Sequence, residues 1–269
     1  MAFSIVTWNI NSVRLRMPIV QKLLEMWQPD VLCLQETKCP NDQFPTAAFK
    51  KIGYDHIAMH GQKGYHGVAT ISKNPFVEEP EWVEFCEMGD TRHISTRHAL
   101  PGVSDPVLLH NFYVPAGGDE PDIVKNPKFD HKLKFLDEMV GHFGKKFKTD
   151  KNIVVGDLNI APSENDVWSH KQLLKVVSHT PIEVDAMAKV FESGSFVDLV
   201  RQHFPEPELL YSWWSYRSKD WATSNRGRRL DHIWSHPDVA KQLSSVDILS
   251  EARGWEKPSD HVPIRAVFG

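Results

Sequence analysis

Cysteine, excess positive charge and long apolar runs are all scarce in this chain of 269 residues. Its three cysteines, Cys33, Cys39 and Cys86, form no close CxxC pair, and an odd number makes a disulfide framework unexpected. The formal net charge of -4 excludes a generally cationic nucleic-acid-binding protein, so any such binding must use local basic patches. These features indicate a reducing compartment and are compatible with an acidic region that holds a metal.

No apolar run approaches the roughly 18 residues that are needed to span a bilayer. The first residues also lack the basic and apolar regions of a secretion signal. Because prolines and glycines are scattered, no linker divides the chain. We therefore expect one domain over residues 1–269, located in the cytoplasm, with no membrane contact and no obligate protein partner.

Short apolar runs predict buried strands at Phe3 to Trp8, Val31 to Leu34, Ile153 to Val155 and Val262 to Phe268. Helical spacing of apolar residues predicts two helices. The first carries Val20, Leu23, Leu24 and Trp27, with Pro18 near its start and Pro29 just past its end. The second carries Phe129, Leu133, Leu136, Val140 and Phe143, and ends at Gly144.

Acids and amides stand at one end of several apolar runs. Asn9, Glu36 and Asp157 follow their strands, whereas Asp260 and His261 precede theirs. Gathering them at one edge requires antiparallel neighbours, so we expect sheets of mixed direction and not a parallel Rossmann sheet. Thr7 to Asn11 and Gly156 to Ile160 also look alike, which suggests an internal duplication.

Carboxylates, amides and a divalent cation meet the needs of phosphodiester hydrolysis, namely a deprotonated water and charge stabilisation in the transition state. Hard oxygen ligands favour Mg²⁺ or Mn²⁺. Each residue taken alone also has a non-catalytic interpretation. Glu36 could be an exposed acid at a strand end, Asn159 a turn former and His261 a structural or surface histidine.

Several segments in order along the chain resemble the exonuclease III family, the bacterial-type AP endonucleases and 3′→5′ exodeoxyribonucleases. They are Trp8-Asn9-Ile10-Asn11, Gln35-Glu36-Thr37-Lys38, Asn111-Phe112-Tyr113-Val114-Pro115, Gly156-Asp157-Leu158-Asn159, Arg226-Gly227-Arg228-Arg229-Leu230-Asp231 and Ser259-Asp260-His261. The resemblance implies an α/β fold (α+β by strand direction), a four-layer αββα sandwich of two packed mixed sheets flanked by helices.

The resemblance also implies a metal site and a set of catalytic residues. Glu36 would ligate Mg²⁺, or Mn²⁺ as a substitute, with Asn11 and Asp260 nearby. Members of the eukaryotic branch often have an acid where Asn11 stands, so we expect one metal ion. The catalytic roles implied by the resemblance fall on Asp157, Asn159, His261, Asp231, Tyr113 and Asn9.

Within this set, Asp157 would orient or deprotonate the attacking water. Asn159 and Asn9 would hold Asp157 or bind a phosphate oxygen. His261, held by Asp231, would face the scissile phosphate, and Tyr113 resembles the tyrosine with which the family contacts that phosphate.

Two further segments predict contacts with double-stranded DNA. The glycine-rich stretch Gly61 to Gly67 would bring backbone amides to phosphates, with Lys63 and His66 adding charge. The second is the basic and aromatic segment, residues 213–229, in which arginines alternate with aromatic residues. Such a mixture is expected where a protein binds phosphates and an exposed sugar together. The residues predicted to contact DNA are Lys63, Tyr65, His66, Gly67, Trp213, Arg217, Arg226, Arg228 and Leu230.

In the family an aromatic of this second segment lines a pocket for an extrahelical abasic sugar, and Trp213 matches it better than Trp214, which we expect in the core. Arg228 departs from the family pattern, in which an apolar or aromatic residue often stands there. Arg229 belongs to the same basic run, and Trp255 is expected to add a loop contact.

The leading hypothesis is a phosphodiesterase that cuts DNA 5′ to abasic sites and trims or dephosphorylates 3′ ends. One alternative is the same fold acting on a phosphoinositide, a lipid or RNA, against which the basic and aromatic segment argues. Another is a DNA-binding module whose catalytic residues have decayed. The presence of the whole set argues against it: Glu36, Asp157, Asn159, Asp231, Asp260 and His261. The ratio of the activities, the damage spectrum and the oligomeric state have no signature in the sequence.

Overall fold

The computed structural model describes residues 2–146 and 149–269. The strands in these residues are β1 (Phe3–Asn9), β2 (Val31–Gln35), β3 (His56–His60), β4 (Val68–Ser72), β5 (His93–His98), β6 (Val107–Tyr113), β7 (Asn152–Asp157), β8 (Val197–Asp198), β9 (Asp231–Ser235), β10 (Leu243–Ile248) and β11 (Ile264–Phe268). They form two sheets, a six-stranded one with the order β10-β11-β1-β2-β4-β3 and a five-stranded one with the order β5-β6-β7-β9-β8.

The central strands of the two sheets have corresponding neighbours. In the first sheet β1 is parallel to β2 and antiparallel to β11. In the second sheet β7 is parallel to β6 and antiparallel to β9. The mixed strand direction predicted from the strand-end acids is therefore confirmed, and the matching topology supports an internal duplication.

The helices described are α1 (Val13–Trp27), α2 (Thr46–Lys50), α3 (Pro127–Gly141), α4 (His170–Leu173), α5 (Pro181–Ser193), α6 (Leu199–His203), α7 (Trp221–Ser224) and α8 (Pro237–Ala240). Short 3₁₀ turns lie at Asn41–Gln43, Glu164–Asp166 and Ser250–Gly254, and a π turn at His142–Lys146 follows α3. Among these helices, none combines the length and apolar character needed to cross a membrane.

Three apolar clusters separate the layers of the molecule. One lies between the sheets and joins residues such as Ile5 of β1 to Val155 of β7. The second packs Val20 and Leu23 of α1 on the outer face of the six-stranded sheet. The third packs α3 and α5 on the outer face of the five-stranded sheet. The four-layer sandwich implied by the resemblance is thus confirmed.

The helices differ from the sequence prediction at their ends. Helix α1 begins at Val13 and contains Pro18, because a proline near the start removes few helical bonds and the buried residues Val13 and Ile19 pack the turns on both sides. Helix α3 ends at Gly141, and Phe143 lies in the following π turn, where it is nevertheless buried.

A polar contact crosses the core between the sheets close to the site described below. The amide nitrogen of Gln35 donates to Oδ1 of Asn111 at 2.7 Å. The amide nitrogen of Asn111 donates in turn to the carbonyl oxygens of Leu34 and Ala69. Because buried amides need partners, this pair fixes how the ends of β2 and β6 meet.

Candidate active site

The strand-end residues converge at one edge of the two sheets. Asn9 ends β1, and Asp157 ends β7, where it pairs in register with Asp231 at the start of β9. Asp260 and His261 immediately precede β11, which runs antiparallel to β1. The reversal of β11 and β9 relative to their neighbours therefore places all five side chains at the same edge.

Asp157 is buried and is held by amide groups on both carboxylate oxygens. Its Oδ2 accepts from Nδ2 of Asn9 at 2.8 Å and from Nδ2 of Asn159 at 3.1 Å. Its Oδ1 accepts from the backbone N–H of Asn159 at 2.9 Å. The preceding Gly156 has a φ of +138°, and a Cβ there would lie 1.9 Å from the carbonyl oxygen of Phe112, so the strand end requires glycine.

His261 lies between two carboxylates. Its Nδ1 is 2.8 Å from Oδ2 of Asp231, and its Nε2 is 3.6 Å from Oδ2 of Asp157. Burial alone would lower the pKa of His261, but Asp231 and Asp157 together raise it to about 10. The imidazole is therefore protonated at neutral pH in the free protein. Asp157, Asp231 and His261 also lie close enough together to hold a metal ion.

The carboxyl group of Asp157 is buried, so its charged form lacks the hydration that stabilises an exposed acid. Burial raises its pKa to about 7, with Asp231 and Glu36 adding to the shift and His261 opposing it. A carboxylate whose pKa is near neutral can accept a proton more readily than an ordinary aspartate. Asp157 is thus suited to act as a base.

Glu36 lies on the other side of Asn9. Its Oε1 accepts from Nδ2 of Asn9 at 3.0 Å and from the hydroxyl of Tyr113 at 2.8 Å. Its Oε2 is 2.7 Å from Nζ of Lys38. Burial would raise the pKa of Glu36, but Lys38, Asn9 and Tyr113 outweigh it and lower the pKa. The side chain is therefore held as a carboxylate.

The oxygens of Glu36 and Asn11 converge on a positive charge. The ammonium of Lys38, besides its contact with Glu36, donates to Oδ1 of Asn11 at 2.6 Å. Asp260 turns that oxygen toward the ammonium, because its Oδ1 accepts from Nδ2 of Asn11 at 3.1 Å. A carboxylate and an amide oxygen around one point of positive charge fit a hard divalent cation.

A cavity of about 760 Å³ opens beside Asp157 and His261. Its aromatic walls are Trp213 and Trp168, which lie under the guanidinium groups of Arg228 and Arg226 at 5.3 and 4.7 Å from the ring centroids. The lining of the cavity also includes Tyr113, Arg217, Leu230 and Asp260. The indole N–H of Trp213 donates to Oδ2 of Asp260 at 3.0 Å.

The glycine-rich loop runs beside the segment that carries Glu36. The backbone N–H of Lys38 donates to the carbonyl of His66, and that of Thr37 to the carbonyl of Gly67. Gly67 has a φ of +91°, and a Cβ there would lie 2.1 Å from Oγ1 of Thr37. Glycine is therefore required where the loop approaches Thr37.

The loop presents its predicted contacts unequally. Lys63 and Tyr65 are exposed. His66 is different, since burial and the nearby Arg92 lower its pKa to about 4. The prediction that His66 adds charge is wrong, because its half-buried ring stays neutral at physiological pH.

The basic and aromatic segment is partly structural. Trp214 is buried, as predicted, at 4% exposure. Arg229 points inward and donates to both carboxylate oxygens of Asp166 and to Asp198. Trp255, predicted to contact DNA from a loop, packs edge-on against Trp8.

Two positively charged residues that the sequence prediction missed support the site from behind. Arg16 donates to the carbonyls of Asn11 and Pro258, and so ties the segments that carry Asn11 and Asp260. Lys132 is fully buried, and its ammonium donates to the carbonyl of Asn159 at 2.8 Å. Both stand on helices, where a charged residue in an amphipathic pattern is normally assigned to solvent.

A second histidine group, His93, His110 and His142, is buried elsewhere with ligand atoms within 4.8 Å of one another. The N–H of Val83 donates to Nδ1 of His93, so the proton of His93 is on Nε2 and points to Nδ1 of His110. Nε2 of His110 then donates to Oδ1 of Asn152. These bonds give His93 and His110 each one donating and one accepting ring nitrogen.

Comparisons with known proteins agree with this geometry. The profile of the Endonuclease/Exonuclease/phosphatase family matches residues 6–261. Exodeoxyribonuclease III of Haemophilus influenzae is 32% identical over 273 residues, covering 98% of this chain and 98% of that protein. The exodeoxyribonuclease of Bacillus subtilis is 26% identical over 266 residues, with the same coverage of both.

Solved structures match over nearly the whole chain. A 3′ phosphatase from Neisseria bound to a product DNA hairpin has a TM-score of 0.89 and 30% identity, with 99% of both chains covered. An AP endonuclease from Archaeoglobus fulgidus has a TM-score of 0.86 and 35% identity, again with 99% of both chains covered. The chain therefore belongs to the endonuclease/exonuclease/phosphatase family, within which it is a member of the exonuclease III group.

Proposed function

We infer that this chain is a DNA-repair phosphodiesterase of the exonuclease III type. The observation that carries the inference is the position of Asp157, which Asn9 and Asn159 hold beside a protonated His261 at the wall of a cavity rich in arginine and tryptophan. The names of its relatives, exodeoxyribonuclease, AP endonuclease and 3′ phosphatase, describe reactions at the phosphorus of a DNA ester.

The proposed reactions are cleavage of duplex DNA 5′ to an abasic site and removal of nucleotides or phosphate from 3′ ends. In each, water attacks phosphorus and the bond to the upstream 3′ oxygen breaks. Asp157 takes a proton from the water, while Asn9 and Asn159 keep its carboxylate in place. His261 donates to a non-bridging phosphate oxygen, and Asp231 keeps the imidazole charged and oriented.

Glu36 and Asn11 are the residues that would hold a divalent cation, with Asp260 orienting Asn11. The preference of hard oxygen ligands favours Mg²⁺, with Mn²⁺ as a substitute, and the neutral side chain of Asn11 favours a single ion. When bound, the cation would supply charge stabilisation to the phosphoryl oxygens. The hydroxyl of Tyr113, which donates to Glu36, would contact the same phosphate.

DNA would lie across the mouth of the cavity. Lys63 and Tyr65 of the loop, together with Arg217 and Arg226, are exposed. They would contact backbone phosphates, which position a duplex without reading its sequence. Trp213 would face the sugar that enters the cavity. An abasic nucleotide enters at lower cost than a normal one because it has no base to unstack.

The experiment that tests this function uses purified protein and a labelled duplex with one tetrahydrofuran abasic analogue, beside an undamaged recessed 3′ end. We expect incision 5′ to the analogue with Mg²⁺ and none with a chelator. Gel mobility distinguishes a 3′-hydroxyl product from other ends. If neither metal supports incision of the abasic duplex or removal of nucleotides from the recessed 3′ end, the proposed function is refuted.

A further inference from the structure

Tyr216 belongs to the basic and aromatic segment, yet its side chain faces away from the cavity. Ser215 and Arg217 on either side of it line the cavity, whereas Tyr216 does not. Its ring lies beside two guanidinium groups instead, with the centroid 6.0 Å from Cζ of Arg16 and 4.9 Å from Cζ of Arg253. The position of Tyr216 therefore indicates a role other than contact with a nucleotide in the cavity.

The hydroxyl of Tyr216 joins a side chain of helix α1 to the backbone of a distant loop. It accepts from Nη2 of Arg16 at 2.9 Å and donates to the carbonyl of Pro258 at 2.8 Å. Burial and the charge of Asp260 raise the pKa of Tyr216, so the hydroxyl keeps its proton at neutral pH. A phenol has one proton to donate, and here Pro258 accepts it.

Arg16 uses each of its three side-chain nitrogens on a different segment of the chain. Its Nε donates to the same carbonyl of Pro258 at 2.9 Å, its Nη1 to the carbonyl of Asn11, and its Nη2 to Tyr216. Arg16 is buried and has no carboxylate partner within the part of the chain that the structure describes. Because a buried guanidinium needs all its donors bonded, it fixes these three acceptors relative to one another.

Two of these acceptors lie next to side chains of the cation site. Pro258 precedes Asp260 by two residues, and Oδ1 of Asp260 orients the amide of Asn11. Asn11 itself has a φ of +47° and Ser12 a φ of +87°, a left-handed backbone that residues other than glycine rarely adopt. Such a conformation persists where neighbouring groups hold it, and Arg16 bonds the carbonyl at this strained step.

The loop that carries Asp260 is held at two successive residues. The hydroxyl of Ser259 donates to the carbonyl of Asn9 at 2.6 Å. The carbonyl of Pro258 accepts from Arg16 and from Tyr216. Loss of the phenol hydroxyl would take one donor from Pro258 and the acceptor from Nη2 of Arg16. One atom therefore supports both ends of the link between the two segments.

We propose that Tyr216 is a positioning residue of the cation site. Its hydroxyl acts through Arg16 and Pro258. It keeps the segments that carry Asn11 and Asp260 in the arrangement that receives a divalent cation, and touches neither the cation nor the phosphate. Outer partners of this kind strengthen metal binding because the ligands are oriented before the ion arrives. The inference rests on the proposed function, since it takes Asn11 as one of the residues that would hold the cation.

The test titrates Mn²⁺ alone into the full chain, without DNA, and measures the free ion by electron paramagnetic resonance. Tyr216→Phe keeps the ring and removes only the hydroxyl, and we expect it to bind Mn²⁺ about tenfold more weakly than the unmodified protein. Tyr54→Phe is the matched control. It removes a hydrogen bond of the same kind, from a phenol to the carbonyl of Pro29 at 2.7 Å, at the end of β2 opposite to Glu36. Its Mn²⁺ affinity should equal that of the unmodified protein.

Two further measurements examine the same link. Arg16→Lys keeps the charge but offers one nitrogen to three acceptors, so it should bind Mn²⁺ at least as weakly as Tyr216→Phe does. In incision assays the Mg²⁺ concentration for half-maximal rate should rise about tenfold in Tyr216→Phe, while the rate at saturating Mg²⁺ stays near that of the unmodified protein. Melting temperatures identify any variant that fails to fold, and Tyr216, which is 46% exposed, is a position that tolerates substitution.

An unchanged Mn²⁺ affinity in Tyr216→Phe would overturn the proposal, and so would an equal loss in Tyr54→Phe. Weaker binding of the duplex in chelator, with Mn²⁺ affinity unchanged, would show that Tyr216 is a DNA contact instead. Glu36→Gln separates this proposal from the proposed function. If Glu36→Gln weakens Mn²⁺ binding and Tyr216→Phe does not, only the role of Tyr216 is wrong, whereas an unmodified protein that cleaves neither duplex refutes the proposed function.

Discussion

Asn9 donates its single amide group to both Glu36 and Asp157, yet the two acids have different surroundings. Lys38 pairs with Glu36 and keeps it ionised, whereas Asp157 is buried beside Asp231, which raises its pKa to about 7. An acid held ionised suits a cation ligand, and an acid poised near neutral suits a base. The division of roles thus follows from the neighbours of each carboxylate.

For Asp157→Asn we expect turnover on the abasic duplex to fall by about two or more orders of magnitude, because an amide cannot accept the proton from water. Binding of the duplex should persist, since the shape of the side chain is retained. Single-turnover rates and a gel-shift titration measure the two quantities. A variant with near-normal turnover would show that Asp157 is not the base.

For Glu36→Gln we expect weaker binding of a divalent cation, by about tenfold or more, because the ligand loses its charge. Mn²⁺ can be titrated by electron paramagnetic resonance in the absence of DNA, so the readout is independent of activity. Glu79→Gln, at an exposed site, serves as the matched control. Equal Mn²⁺ affinity in both variants would contradict the assignment of Glu36.

The sequence predicted these residues through two kinds of information. Acids at strand ends could be recognised from their positions, but their roles came from the resemblance. Arg16 and Lys132 were missed, because their partners are backbone carbonyls or a distant glutamate that no local pattern reveals. Likewise, the neutral state of His66 depends on burial beside Arg92, which only the folded structure shows.

At the scale of elements, helices α3 and α5 are joined by an ion pair that also supports the active-site edge. Lys132 of α3 contacts Glu183 of α5 at 2.5 Å, and both side chains are fully buried. The same ammonium donates to the carbonyls of Asn159 and Ala116. Glu183 also closes the capping box of its own helix, because its Oε2 accepts from the backbone N–H and the hydroxyl of the N-cap residue Thr180. The pair therefore connects two outer helices to the loop that follows β7.

For Lys132→Met we expect a loss of about 3 to 5 kcal/mol in the free energy of unfolding, because removing one partner leaves Glu183 as an unpaired buried charge. Urea unfolding followed by tryptophan fluorescence gives this quantity. Lys134→Met on the same helix is the matched control, since its exposed contact with Asp130 contributes about 1 kcal/mol or less. If both variants lose a similar amount of unfolding free energy, the buried Lys132–Glu183 pair contributes no more to stability than the exposed pair does.

The sequence predicted that α3 exists, but it predicted only some of the residues on its buried face. The apolar spacing predicted α3, but the buried face contains Lys132 and Met139, whereas Leu133 and Val140 are only half-buried. The difference arises because α3 packs against both α5 and the five-stranded sheet, and the direction of that packing is a tertiary property. The end of α3 was misplaced because Phe143 continues the apolar stripe through a π turn.

At the scale of the whole molecule, the mixed strand direction could be argued from the residues, since acids before and after strands had to meet. The pairing of two sheets into four layers could not, because short apolar runs predict strands without saying which sheet each joins. The two central strands, β1 and β7, have matching neighbours in separate sheets. The likeness between the segments Thr7 to Asn11 and Gly156 to Ile160 therefore indicated that the two sheets have corresponding central strands.

The core also contains histidines that make the stability of the whole molecule depend on pH. Burial lowers the pKa of His98 to about 4, and burial with Arg229 lowers that of His232 to about 4. In the unfolded chain each titrates near its ordinary value of 6.5. The unfolded state therefore binds more protons between these values, so this contribution is complete above pH 6.5 and is lost as the pH falls toward 4. Asp157, with its raised pKa, acts in the opposite direction.

We expect each of His98 and His232 to contribute about 2 kcal/mol to the loss of unfolding free energy between pH 7.5 and 5. His98→Gln should therefore show a shallower pH dependence than the unmodified protein by that amount, whatever its stability at pH 7.5. Urea unfolding at several pH values measures the dependence, and His203→Gln, at an exposed position, should leave it unchanged. If His98→Gln loses as much stability on acidification as the unmodified protein does, the buried imidazole of His98 is not a source of acid sensitivity.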